Sequence, residues 1–192
     1  AVFLARTCGH IVFVDYVAAH VWIKKVLVDA GVPAERIAIL NASVTTLDRQ
    51  RIAEGFNGDA MAMSEPEYDV VIANAVAYEG VDLNKRTCAI HHLDYPWNPS
   101  LLQQRNGRGV RQGNVLSSVT IVYYFASRSF DGKRFLTIVG KGTWMSALFE
   151  GHARATNNPG AGFDLGDDDI DLFISGNPDE TRRLQRRARL AG

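Results

Sequence analysis

The chain has 192 residues, 46% hydrophobic and 22% charged, and its 21 basic and 21 acidic side chains cancel to zero formal charge. This is globular composition with room for one domain and an appendage, and it excludes a strongly basic nucleic-acid-binding tail while leaving room for a local basic groove. No apolar run approaches the roughly 20 residues that span a membrane, so no membrane partner is expected. The first residue is Ala1 with no secretory hydrophobic stretch behind it, which predicts a cytoplasmic segment of a longer bacterial or phage polypeptide.

Short β-branched runs alternate with longer helical patterns. Ile11 to Val14 reads as a buried strand and Tyr16 to Ala30 as a helix stopped by Gly31 and Pro33. Arg36 to Leu40 is a second strand. Thr45 and Asp48 have the spacing of a capped helix start, and that helix is expected to turn Leu47, Ile52 and Phe56 inward and to end near Asn57-Gly58. Asp69 to Ala73 and Cys88 to Leu93 follow as strands. Asn98-Pro99 then opens a helix with a cap and a first-turn proline, and Ser118 to Phe125 is the last and most hydrophobic strand.

Continuous apolar strands point to a parallel sheet buried on both faces, and their alternation with helices implies βαβ units. The expected class is α/β, with a mostly parallel central sheet flanked by helices. Ligands of such sheets bind beyond the carboxyl ends of the strands, which directs attention to the loops after Ala73, Leu93 and Phe125.

Residues 1–150 are expected to form the domain. Residues 151–192 read as a Gly/Asp-rich linker, with Asp167-Asp168-Asp169 inside it, leading to the start of a basic helix that carries Arg182, Arg183, Arg186, Arg187 and Arg189. Cys8 and Cys88 make neither a disulfide framework nor a zinc site by number and spacing, and read as two reduced, buried thiols. His91-His92 reads as structural, and no metal site is expected. Trp22, Trp97 and Trp144 read as core or interface packing, Trp97 lying near the expected cleft.

The most informative stretch is Gln103-Gln104-Arg105-Asn106-Gly107-Arg108-Gly109-Val110-Arg111-Gln112-Gly113. On a helix its spacing puts Gln104, Arg108 and Arg111 on one face. Two rigid guanidinium forks beside an amide suit a polyphosphate. The three glycines each weaken a helix by roughly 1 kcal/mol relative to alanine, a poor choice for a merely solvated face. Upstream, Gly80 permits close backbone approach to a ligand, and Asp82 can bond a ribose hydroxyl or orient an arginine.

Glu79-Gly80-Val81-Asp82-Leu83-Asn84, then Leu93-Asp94-Tyr95-Pro96-Trp97-Asn98-Pro99, then Gln103-Gln104-x-x-Gly-Arg-x-x-Arg-x-Gly resemble the second, RecA-like motor lobe of superfamily II helicases, nearest the Swi/Snf-like branch. In that family these are motifs V and VI, and Ile11 to Tyr16 is similar to motif IV. The tail is reminiscent of helicase–methylase proteins of phages and mobile elements. The sequence departs from the pattern at Asn41-Ala42-Ser43, where the family has Asp-Gly-Ser, at the extra Pro96, and at Asn114, where a glutamine is usual.

The resemblance implies a RecA-like three-layer fold and a set of roles. Arg108 and Arg111 would be arginine fingers reaching ATP, which a first RecA-like lobe of the same polypeptide would hold with Mg2+. Gln104, Gly80 and Asp82 would lie at the ATP. Asn74 and Ser43 would meet the backbone of DNA, or of RNA. Neither a Gly-x-x-x-x-Gly-Lys-Ser/Thr loop nor its acidic partner pair is present, and Gly140-Lys141-Gly142-Thr143 lacks the required first glycine. The chain alone is therefore expected to be inactive as an ATPase. The alternative is a non-catalytic RecA-like module that binds nucleic acid or protein.

Overall fold

The computed structural model describes residues 8–58, 65–74 and 81–126, together with 129, 131, 134, 135, 137, 138 and 141. The linker and basic helix expected over 151–192, along with Trp144 and most of the 140–143 stretch, lie outside these residues. No helix among the described residues is long and apolar enough to cross a membrane.

The strands are β1 (Gly9–Phe13), β2 (Ile37–Leu40), β3 (Val70–Ala73), β4 (Thr87–His92) and β5 (Thr120–Tyr123). All their pairings are parallel, in the order β2-β3-β1-β4-β5. The connecting helices are α1 (Val17–Asp29), α2 (Thr46–Asn57) and α3 (Pro99–Gly109). The expected α/β class with a parallel sheet is what the chain adopts.

Strand alternation divides the interior into two layers. Ile11, Phe13, Leu40, Val71 and Ile90 turn to one side and pack with Ala53 and Phe56 of α2. Val12, Val14, Ile37, Val70 and Ile72 turn to the other and pack with Ile23 of α1. β5 departs from the expected buried strand. Among the described strands it pairs with β4 alone, Thr120 is exposed, and the next three residues are half-buried.

The helix ends follow local chemistry. Gly31 closes α1 at φ +98°, donating its N–H to the Val28 carbonyl while Val32 donates to Leu27, the paired bonds of a glycine-terminated helix. Thr45 Oγ1 accepts the Asp48 N–H at 3.2 Å at the start of α2. Leu47 corrects the sequence reading. It lies in the first turn of α2 with its side chain exposed, and the inward positions are Ala53 and Phe56, with Ile52 partly buried. Trp22 and Trp97 are exposed as well, not packed in the core.

The cysteines also differ from expectation. Cys8 and Cys88 are half-buried and joined in a disulfide, with Cα atoms 5.2 Å apart. The cause is topological. Gly9 of β1 pairs with Thr87 of β4, so the residues beside them sit at disulfide range, although 80 positions separate them in sequence.

By chain contacts the molecule forms two compact units. The first holds Ala1–Asp94 and Leu101–Tyr124, and the second Tyr95–Ser100 and Phe125–Gly192. The five-stranded sheet belongs to the first. In the second, the rings of Tyr95, Phe125 and Phe135 cluster, and the Arg134 guanidinium lies over Trp97, 4.6 Å from its ring centre.

Candidate functional site

Asp82 organises the site. Its Oδ1 contacts Arg111 Nη1 closely and lies 3.9 Å from Arg108 Nη1. The Arg108 side chain is 24% exposed, and those of Arg111 and Asp82 are 55% and 53% exposed. Both guanidiniums therefore converge on one carboxylate at a surface open to water.

Arg111 does not share the helical face that its spacing predicts. α3 ends at Gly109, so Arg111 lies beyond it and not on its face. Gln104 is exposed on α3, one turn before Arg108. The chain folds around the arginines because of the glycines. A Cβ on Gly109 would stand 2.7 Å from Thr87 Cγ2 and 3.0 Å from Ile90 Cδ1, so only glycine lets α3 lie this close to β4. Gly113 turns the chain at φ +95°. Asn114, the departure from the family pattern, donates to the Thr87 carbonyl at 2.8 Å and accepts the Leu116 N–H, tying this turn to β4.

The loop bearing Asp82 is clamped from two sides. Asn57, at the end of α2, donates to the Asp82 carbonyl at 2.8 Å and accepts the Lys85 N–H at 3.1 Å. Asn84 donates to the Gln112 carbonyl at 2.7 Å, and Val115 N–H to the Lys85 carbonyl. The sequence named Asn57 only as a helix end and Asn84 only as the close of a motif, and gave neither this clamping role. Gly80 lies outside the described residues.

These contacts also move the arginine cluster. α2 runs back to the amino end of the sheet, and Asp82 follows it there, beside the start of β4. The cluster thus gathers at the amino end of the sheet, although Asp82 belongs to the loop after Ala73 to which attention was directed.

The carboxyl ends carry a second group. Ser43, exposed after β2, donates its N–H and hydroxyl to Asn41 Oδ1, at 3.0 and 2.5 Å. The turn lost with the family's glycine is thus rebuilt by an asparagine side chain. Arg49 of α2 braces it by donating to the Val44 carbonyl at 2.9 Å. Asn74, after β3, is buried, and its N–H reaches the Leu40 carbonyl at 3.4 Å.

Arg105, unremarked as a structural residue by the sequence reading, is fully buried here. It bonds Asp15 Oδ2 at 2.6 Å and Asp94 Oδ1 at 2.9 Å, with its guanidinium over the Phe13 ring. Beside it, His92 is buried against Phe13 and Tyr123, with Nε2 2.8 Å from Asn106 Oδ1. Burial pushes the His92 imidazole down to about 4, assisted by the charge of Arg105 and opposed by the Asn106 bond. His92 is structural, as expected. The site's arginine chemistry is left to Arg108 and Arg111, the pair that remains in reach of solvent.

The parallel sheet, the crossovers and this arginine-bearing helix define a RecA-like lobe of helicase type. The model of the helicase conserved C-terminal domain matches residues 5–113, more than half of the chain, and the chain belongs to that family. It is 31% identical over 150 residues to "Defense against restriction protein B" of Escherichia phage P1; the match covers 78% of this chain but only 6% of the phage protein. The C-terminal part of the Fun30 ATPase domain superposes with a TM-score of 0.56 at 19% identity, over 67% of this chain and 38% of that one. S. cerevisiae Dbp5, bound to RNA and ADP BeF3, superposes with a TM-score of 0.53 at 20% identity, over 71% and 32% respectively. These two likenesses show the shared fold.

Proposed function

We propose that this chain is the second motor lobe of an ATP-dependent DNA helicase or translocase, with residues 1–150 as the lobe and 151–192 as a linker to the next segment. The observation that carries the reading is the convergence of Arg108 and Arg111 on Asp82 at an open surface. The donor set fits a nucleotide: two planar forks, already holding an anionic oxygen, suit phosphate oxygens. Arg108 and Arg111 act as arginine fingers, Asp82 holds them in readiness, and Gln104 lines the same approach; Gly80 is assigned to the ATP by its motif alone. ATP and Mg2+ are bound mainly by a first RecA-like lobe of the same polypeptide, and when bound they supply the phosphoryl group and the charge that polarises it.

Ser43 and Asn74 meet the nucleic-acid backbone, contacts that position without reading sequence. Closure of the two lobes on ATP then alternates the grip on the strand. In the whole protein, Arg108→Ala is expected to lower DNA-stimulated ATP hydrolysis by about 10³ or more while nucleotide binding persists. Hydrolysis within about tenfold of wild type would overturn the finger assignment and favour the non-catalytic RecA-like module.

A further inference from the structure

A second group of reactive side chains lies on the α1 side of the sheet, the face turned away from α3 and the arginines. Cys8, His10 and Cys88 present three ligand atoms within 4.8 Å of one another. His10 Nε2 lies 3.5 Å from Cys8 Sγ and 3.6 Å from Cys88 Sγ. A tetrahedral zinc ion, with Zn–S of about 2.3 Å and Zn–N of about 2.0 Å, needs its sulfur and nitrogen ligands about 3.5 Å apart.

The register between β1 and β4 slips at this point. Gly9 pairs with Thr87 but His10 with Ala89, so Cys88 has no partner across the ladder. Such a slip re-aims a side chain, and Cys88 reaches Cys8 and His10.

The surroundings also suit a metal. His10 Nδ1 is 3.0 Å from His91 Nε2, and His91 Nδ1 is 2.9 Å from the Tyr124 hydroxyl. With a proton on His10 Nδ1 donated to His91, His10 Nε2 keeps its lone pair for a metal, the outer-sphere arrangement that orients ligating histidines. Arg86, paired with Asp69 at 2.9 Å, donates to the Cys8 carbonyl at 3.1 Å and so fixes the backbone at the start of β1.

We propose that Cys8, Cys88 and His10 form a thiolate–imidazole site for a soft divalent cation such as zinc, with a fourth position left to solvent, and that the disulfide and the metal are alternative states of it. A thiol reductant converts one state to the other: two reductant thiols become a disulfide, the Cys8–Cys88 bond takes up two electrons and two protons, and the bound cation then displaces the two thiol protons. In a reducing compartment, where such disulfides open, the metal-bound state is the resident one. It ties the starts of β1 and β4 together as the disulfide does.

The test uses Co2+ as an optical probe on the 192-residue chain. After thiol reduction and removal of the reductant, one equivalent of Co2+ is expected to produce a thiolate-to-cobalt charge-transfer band, which one equivalent of Zn2+ abolishes. The oxidised chain should give no band. His10→Ala should weaken Co2+ binding at least tenfold, and His91→Phe by about 10–100-fold through loss of the outer-sphere bond. Absence of the band in reduced wild type overturns the site. So does a band of unchanged affinity in His10→Ala.

Discussion

Asp15 and Arg105 meet at 2.6 Å at the carboxyl end of β1, with Arg105 wholly withdrawn from water and Asp94 closing on its other nitrogen. One buried cation thereby fastens α3 to the loops that follow β1 and β4. Breaking a buried pair from one side leaves a charge without its partner. Arg105→Leu is expected to cost about 3 kcal/mol, the low end for such a loss because Asp15 and Asp94 keep some access to water. Urea unfolding at unchanged slope measures it, and a loss below about 1 kcal/mol would show that this triad does not hold the helix.

Two glycines in α3 provide an internal contrast. Gly107 has open space where a Cβ would stand, whereas Gly109 has Thr87 and Ile90. Gly107→Ala should stabilise by roughly 0.5–1 kcal/mol through helix propensity. Gly109→Ala should destabilise by about 1–3 kcal/mol, because α3 must move off β4. Equal effects in the two variants, read from thermal or urea midpoints, would contradict the close approach.

Asp82 separates stability from activity. Its arginine contacts are half-exposed, and exposed pairs contribute about 0–1 kcal/mol. Asp82→Ala should therefore leave the unfolding midpoint almost unmoved. ATP hydrolysis by the whole protein should nonetheless fall at least tenfold, as Arg108 and Arg111 lose their common anchor. Wild-type hydrolysis in that variant would remove Asp82 from the site.

Acid stability reports on His92. Its imidazole titrates near 4 when folded, against about 6.5 in an unfolded chain. Between these values the unfolded chain binds a proton that the folded chain refuses, so stability is full above about pH 6.5 and declines as pH falls toward 4. The full difference is on the order of 3 kcal/mol. His10 and His91, also lowered by burial, act in the same direction. Urea unfolding at pH 7 and pH 4.5 should show a smaller acid loss in His92→Gln than in wild type; an equal loss would assign the effect elsewhere.

The fold was legible where its causes are local. Strand hydrophobicity, the Thr45 cap and the Gly31 stop each act within a few residues, and the helix and strand positions follow from them. What needed the third dimension was partnership. Arg105 reads as one basic residue among several, since the carboxylates that bury it come from positions 15 and 94. Cys8 and Cys88 read as unrelated because only the β1–β4 pairing brings them together. The site was half legible. Motif chemistry pointed to Arg108, Arg111 and Asp82, but extending the helix to Arg111 overlooked what Gly109 and Gly113 do to the chain. Asp82 does lie in the loop after Ala73, where attention was directed, but in the part of it that Asn57 holds beside the start of β4, which only the fold reveals.

The strand order has a consequence for how this chain comes off the ribosome. β1 is made first, yet its neighbours are β3 and β4, so that Ile11 must wait for Val71 and Ile90. Until then an apolar strand stands with both edges bare, the arrangement most prone to join a neighbouring nascent chain. Such distant pairing is also slow to close. Synthesis that halts between Ala73 and Thr87 leaves the middle of the sheet half-zipped, and products truncated there should be insoluble while those extending past β4 are recovered folded.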